Sequence, residues 1–233
     1  MTGSLSLVRA CAWAGPVFLV LLIVFWGLLG GNVPPFGSDV PAPIVARYLA
    51  EHTIQVRIGM IVTVAAGPLY LVWGVAISVV MERIDPAEPI LPRLQLWGAG
   101  FTTLVITIPG CIWATAAFRP ERLAPETTLM LYDLGWMLFD VQWSLTSLQI
   151  LAMAACFLRD QRAVPVVPRW AGWFVAWTGC MLPILALISL FKSGPFARDG
   201  LINYWFEFPM FFLFMMVVSV VLFRAIARIE RDG

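Results

Sequence analysis

Six stretches of this 233-residue chain are long and apolar enough to cross a bilayer, and that limits what it can fold into. They cover residues 11–29, 56–80, 96–118, 128–158, 170–191 and 204–227. Inside lipid no water is available to the backbone, so each N–H and C=O must be satisfied within the segment or in a closed barrel. A helix does this in roughly 20 residues, whereas barrel strands are shorter and alternate in polarity. The runs show no such alternation. The expected fold is therefore all-α: an integral membrane bundle of six transmembrane helices, forming a single domain over residues 1–233. Composition agrees. The chain is 61% hydrophobic and 12% charged, with a mean hydropathy of +0.87, where a soluble domain carries about 25% charged residues.

The first run follows Arg9 and resembles a secretory leader, but it is longer than the usual apolar core of about 7–15 residues and no A-x-A site follows it. It is expected to remain as the first helix. Nine basic residues fall on the side of the termini (Arg9, Arg83, Arg93, Arg159, Arg162, Arg169, Arg224, Arg228, Arg231) and six on the other (Arg47, Arg57, Arg119, Arg122, Lys192, Arg198). With an even number of spans, that bias places both termini in the cytoplasm. In the first outer loop, Ile44, Val45, Tyr48 and Leu49 recur at helical spacing opposite Arg47 and Glu51. This pattern predicts a short amphipathic helix at the outer interface, after the first span. Trp97, Trp170, Trp173 and Trp205 fall near span ends, where tryptophan anchors helices to the headgroups.

The informative residues are the polar ones inside the runs. An ionisable group at bilayer depth costs about 2.5–3.5 kcal/mol on insertion scales, and by default marks a functional site. Asp133, Asp140 and Glu207 are the three carboxylates so placed. Seven residues separate Asp133 from Asp140, so in an unbroken helix they share a face to within about 20°. Ser144 and Ser147 extend that stripe, with Trp136 beside it. Gln142, Thr146 and Gln149 form a second stripe on the far side, which makes the fourth span central. Glu207 lies two residues before Pro209, which cannot donate to the carbonyl of Trp205. The candidate polar pocket is thus Asp133, Trp136, Asp140, Ser144, Ser147 and Glu207. Two readings compete for its carboxylates. Either one serves as a proton donor or cation ligand, or all are paired with Arg side chains or hydroxyls and fix the packing. Asp133, about two turns from its helix start, is also near enough to reach the interface.

The exclusions are firmer. The single histidine, His52, cannot supply bis-His haem or a multi-histidine iron site. Lys192, the only lysine, lies beside Ser193-Gly194-Pro195, outside any helix core, which argues against a retinal Schiff base. No P-loop and no repeated-Arg span are present, and the net charge of +1 with no basic cluster excludes a nucleic-acid surface. Cys11, Cys111, Cys156 and Cys180 are far apart, each in an apolar run, and read as small buried hydrophobes. No metal site and no cofactor are implied.

Ala116-Ala-Phe-Arg-Pro-Glu-Arg122, Leu131-Tyr-Asp-Leu-Gly-Trp136, Phe191-Lys-Ser-Gly-Pro-Phe-Ala197 and Arg57-Ile-Gly59 together resemble a family of uncharacterised bacterial polytopic membrane proteins of similar length. The resemblance spans about residues 52–205. It implies a bacterial inner (plasma) membrane location and no particular activity. Its motifs include Asp133 and Trp136 but neither Asp140 nor Glu207. The expected function is a membrane protein that binds or helps to move a small lipophilic molecule. The alternatives are an intramembrane enzyme using the buried carboxylates for acid–base chemistry on an isoprenoid or sterol-like substrate, and a structural subunit packed against another membrane protein or a second copy.

Overall fold

A computed structural model describes residues 5–86 and 89–232. Among them there is no strand, and six helices are long and apolar enough to cross a membrane. The chain is thus an all-helical, multi-pass membrane protein. The spans cover Ser6–Leu29, Thr53–Ile84, Ile90–Ala116, Pro125–Leu158, Arg169–Ser189 and Leu201–Arg231. Each is longer at one or both ends than its hydrophobic run, because the helices continue through charged residues such as Arg83 and Arg228.

We label the helices α1 (Ser6–Leu21), α2 (Ala42–Glu51), α3 (Thr53–Ile84), α4 (Ile90–Ala116), α5 (Pro125–Asp140), α6 (Trp143–Leu158), α7 (Arg169–Met181) and α8 (Glu207–Asp232). Neighbours in the bundle run α1–α3–α4, then α5 and α6, then α7 and α8, which returns to α1. Glycines let the backbones approach where the helices cross, as is usual in membranes. A Cβ on Gly98 of α4 would lie 2.7 Å from the backbone nitrogen of Gln149 in α6, so the two backbones touch there.

Three of the six spans change helical form part-way, and a fourth is broken. The first continues beyond α1 as a π-helix over Leu22–Leu29. Its wider turn is closed by Gly30 N–H to Phe25 O at 2.8 Å and Asn32 N–H to Gly27 O at 2.9 Å. The last begins as a π-helix, Leu201–Phe206. The fifth tightens into a 3-10 segment, Leu182–Ser189. Pro183 explains this change: it has no N–H to give the Gly179 carbonyl, and the Ser147 hydroxyl donates to that carbonyl instead, at 3.0 Å.

The fourth span, expected to be one helix, is broken at Val141–Gln142 without a proline. The Gln142 amide donates to Leu138 O at 2.7 Å, taking a carbonyl at the end of α5. A side chain that bonds back to the preceding turn competes with the helix for its own acceptors. The break also changes the helical phase, so the stripe projected through Asp133, Asp140, Ser144 and Ser147 is not a single face. Ser144 faces outward and is exposed.

The predicted amphipathic helix is present as α2. Val45 and Leu49 are buried against the bundle, with α5 and α3 as neighbours, while Ile44, Arg47 and Glu51 are exposed. It is therefore docked on protein along one side. Trp97, Trp170, Trp173 and Trp205 all point outward, as anchors do. Of the cysteines expected to be buried, only Cys156 is; Cys111 and Cys180 lie on the outer faces of their helices and Cys11 is half-buried. A small apolar side chain is as well solvated by lipid as by the core, so burial gains it little.

Candidate functional site

The end of the bundle away from the termini is closed by a clamp centred on Arg198. This residue reads in sequence as an ordinary outer-loop cation, yet it is buried. Its guanidinium donates to Asp133 Oδ1 at 2.6 Å, Phe36 O at 2.7 Å and Gly37 O at 3.2 Å. The same group lies 5.0 Å from the Tyr132 ring centroid, a cation–π geometry. Tyr132 in turn accepts the Phe36 N–H at 3.0 Å, and Tyr204 donates to Asn32 O. One planar fork thus ties together the loop between the first span and α2, α5, and the loop between the fifth and sixth spans. Asp133 is therefore a pairing residue: its carboxylate is the counter-charge of Arg198 and is half-exposed.

Below the clamp lies a layer of aromatic rings. Trp136 is fully buried and meets Trp26, Phe139 and Phe208 at centroid distances of 5.8, 6.0 and 6.2 Å. Trp26 stacks on both Phe139 and Phe208, at 5.3 and 5.4 Å. Trp113 contributes from α4 and donates its indole N–H to Tyr132 O at 3.1 Å. Trp136 is thus a packing centre, and its own indole N–H, near the Tyr132 hydroxyl, makes no hydrogen bond of good geometry.

Asp140 ends α5, about 22 Å along the helix from Pro125, and is completely buried. Neither of its carboxyl oxygens has a hydrogen bond of good geometry. The Asn203 side chain stands beside it, also fully buried and also without a bond of good geometry. Glu207 and Arg198 are the charged groups within electrostatic reach of Asp140. So the break in the fourth span and the π-turn at the start of the sixth bring two carboxyls from helices far apart in sequence within electrostatic reach of each other. Ser147 takes no part, being committed to Gly179.

Glu207 opens onto a cavity. Its walls come from the first span (Leu22), α4 (Thr102, Val105, Ile106), the α5–α6 break (Phe139, Trp143, Thr146), the 3-10 segment of the fifth span (Leu182, Leu185) and α8 (Phe208, Phe211, Phe212). It offers about 50 Å³ to the centres of water-sized molecules and is partly open to the outside. Among the described residues Glu207 is the sole ionisable one in the lining. The two threonine hydroxyls belong to a network that sequence reasoning captured only in part. Thr102 donates to Thr146 at 3.1 Å, and Tyr70 donates to Gln149 Oε1 at 3.0 Å beside them. Thr146 and Gln149 were visible as a polar stripe. Their partners Tyr70 and Thr102 lie on other spans and carry no local signal.

Among the described residues no group of three or more His, Cys, Asp or Glu is arranged to hold a metal ion. His52 caps α2, with Nδ1 3.0 Å from Tyr48 O and its ring stacked on Tyr48.

No family model, curated protein or solved structure matches this chain. Function has to be read from the residues themselves.

Proposed function

We propose that this membrane protein holds, or helps to move, a small lipophilic molecule in the cavity lined by Phe139, Trp143, Phe208 and Glu207. The observation that carries the reading is the cavity's composition. Aromatic and aliphatic side chains from five spans surround one carboxyl and one pair of hydroxyls, the mixture of apolar walls and sparse polar groups typical of small-molecule sites. Interruption of four of the six spans around this region adds to it, because broken helices in membranes cluster where a cavity or binding site lies. From the nine-to-six bias of basic residues and the resemblance to bacterial polytopic proteins, we place the chain in a bacterial inner membrane with both termini cytoplasmic. Arg9 pairing with Glu230 at 2.5 Å puts the two terminal helices at one end, in keeping with an even span count.

The test is occupancy of the void. Val105 lines the cavity with its side chain almost wholly buried, so Val105→Phe should fill it. A panel of small lipophiles should raise the melting temperature of the wild type and leave Val105→Phe unmoved. A panel that shifts neither protein, or both equally, would remove the reading.

One observation favours a second reading, acid–base chemistry on an isoprenoid or sterol-like substrate: Asp140 and Glu207 come together at depth. General acid–base work needs a group within about 3 Å of the transferred proton. Glu207 lines the cavity, whereas both Asp140 oxygens are sealed from it. The binding reading therefore ranks first.

A further inference from the structure

We infer that the cavity selects a lipophilic cation, such as an ammonium carried on an aromatic or aliphatic body, with Glu207 as its counter-ion. The inference rests on the binding reading above and specifies the class of ligand. It follows first from charge. Arg198 is the guanidinium within electrostatic reach of Asp140, and Asp133 already holds it at 2.6 Å. Among the described residues no basic side chain lines the cavity, and Glu207 has neither a hydrogen-bond donor nor an ion-pair partner among the described contacts. A buried carboxylate with no donor is costly to ionise, and a bound positive charge removes that cost.

The walls supply the second argument. Five of the lining side chains are aromatic: Phe139, Trp143, Phe208, Phe211 and Phe212. Phe139 and Phe208 are parallel to within 5°, with centroids 6.0 Å apart. Ring faces attract a cation and are indifferent to a neutral alkyl group of the same shape; Trp is the strongest partner. An anion meets the opposite situation, with a carboxyl in the wall and no donor to receive it. Asp140, buried beside Asn203, is a second acid within electrostatic reach of Glu207.

Benzyltrimethylammonium and neopentylbenzene form a suitable probe pair, since they share one shape and differ in the charge of a single central atom. Binding to the protein in nanodiscs is followed by tryptophan emission, because Trp143 lies in the wall. Empty nanodiscs serve as the blank, and affinities are referred to each probe's concentration in the membrane. The cation should bind at least about tenfold more tightly than its neutral isostere. Glu207→Gln should abolish that preference and Glu207→Asp should keep it, while neopentylbenzene should bind all three proteins alike. Equal binding of the two probes, or a preference for the neutral one, overturns the inference and leaves the lipophile-binding reading standing. Cation preference that survives Glu207→Gln overturns the role of Glu207. Failure of both probes to bind overturns the inference and the binding reading together. The wild-type comparison needs no variant, so it decides even if Glu207→Gln does not fold.

Discussion

Replacing Arg198 by methionine removes the guanidinium and keeps most of the apolar stem, and the clamp geometry sets the cost. Three hydrogen bonds are lost, two of them short, to Asp133 Oδ1 at 2.6 Å and Phe36 O at 2.7 Å. Breaking a buried charged pair by deleting one partner costs about 3–5 kcal/mol. Here the partners differ: the Arg198 side chain is 3% exposed and Asp133 45%. Asp133 can turn to water once released, but the Phe36 and Gly37 carbonyls lose their donor, so we expect about 3 kcal/mol, the low end of the range. Asp133→Asn is milder. The amide oxygen still accepts from Arg198, and solvent screens the lost charge, giving about 1 kcal/mol. In the Arg198→Met background the same Asn substitution should cost close to nothing, so the coupling in a double-mutant cycle equals the single-mutant cost. Reversible unfolding in mixed micelles of increasing dodecyl sulfate content, followed by tryptophan emission and far-UV circular dichroism, measures all four proteins. If Arg198→Met costs less than Asp133→Asn, the account of the clamp is wrong. The same conclusion follows if the two effects simply add.

Two further outcomes check the packing. Gly98→Ala places a methyl 2.7 Å from the Gln149 backbone nitrogen and 2.8 Å from its Cα, where no side chain can turn away; α4 and α6 must separate, costing about 1–3 kcal/mol or more in the same assay. A cost within experimental error would mean that the helices do not cross there. Ser147→Ala leaves the Gly179 carbonyl with neither Pro183 nor a hydroxyl as donor, so stability should fall by about 0.6–1.7 kcal/mol, the range found for hydrogen bonds between membrane helices. Ser144→Ala, on the outward face, should be neutral. Equal effects from the two serines would contradict the placement of the break.

Much of the fold was legible because it depends on one-dimensional properties. Run length and hydropathy located the spans, basic residues and tryptophans marked their ends, and a 3.6-residue period revealed α2. What escaped is the registry between spans. Arg198 and Asp133 are 65 residues apart, and Arg198 and Phe36 are 162 apart. No local pattern says that a loop arginine folds inward to meet them. The Val141–Gln142 break carries neither glycine nor proline, so extrapolating the helix through it put Ser144 on the wrong side and assigned Ser147 to the pocket. Asp140 and Glu207 were recognisable as costly residues. Their proximity depends on that break and on the π-turn before Glu207, which arise from tertiary packing.

The central claim, that the cavity holds a specific small molecule, is tested most directly by mass spectrometry of compounds retained after gentle purification of the wild type and of Val105→Phe. The account predicts a discrete lipophilic compound, near one per protein, in the wild type and its absence from the filled variant. The same unselective lipid background in both, with the variant correctly folded, would contradict it.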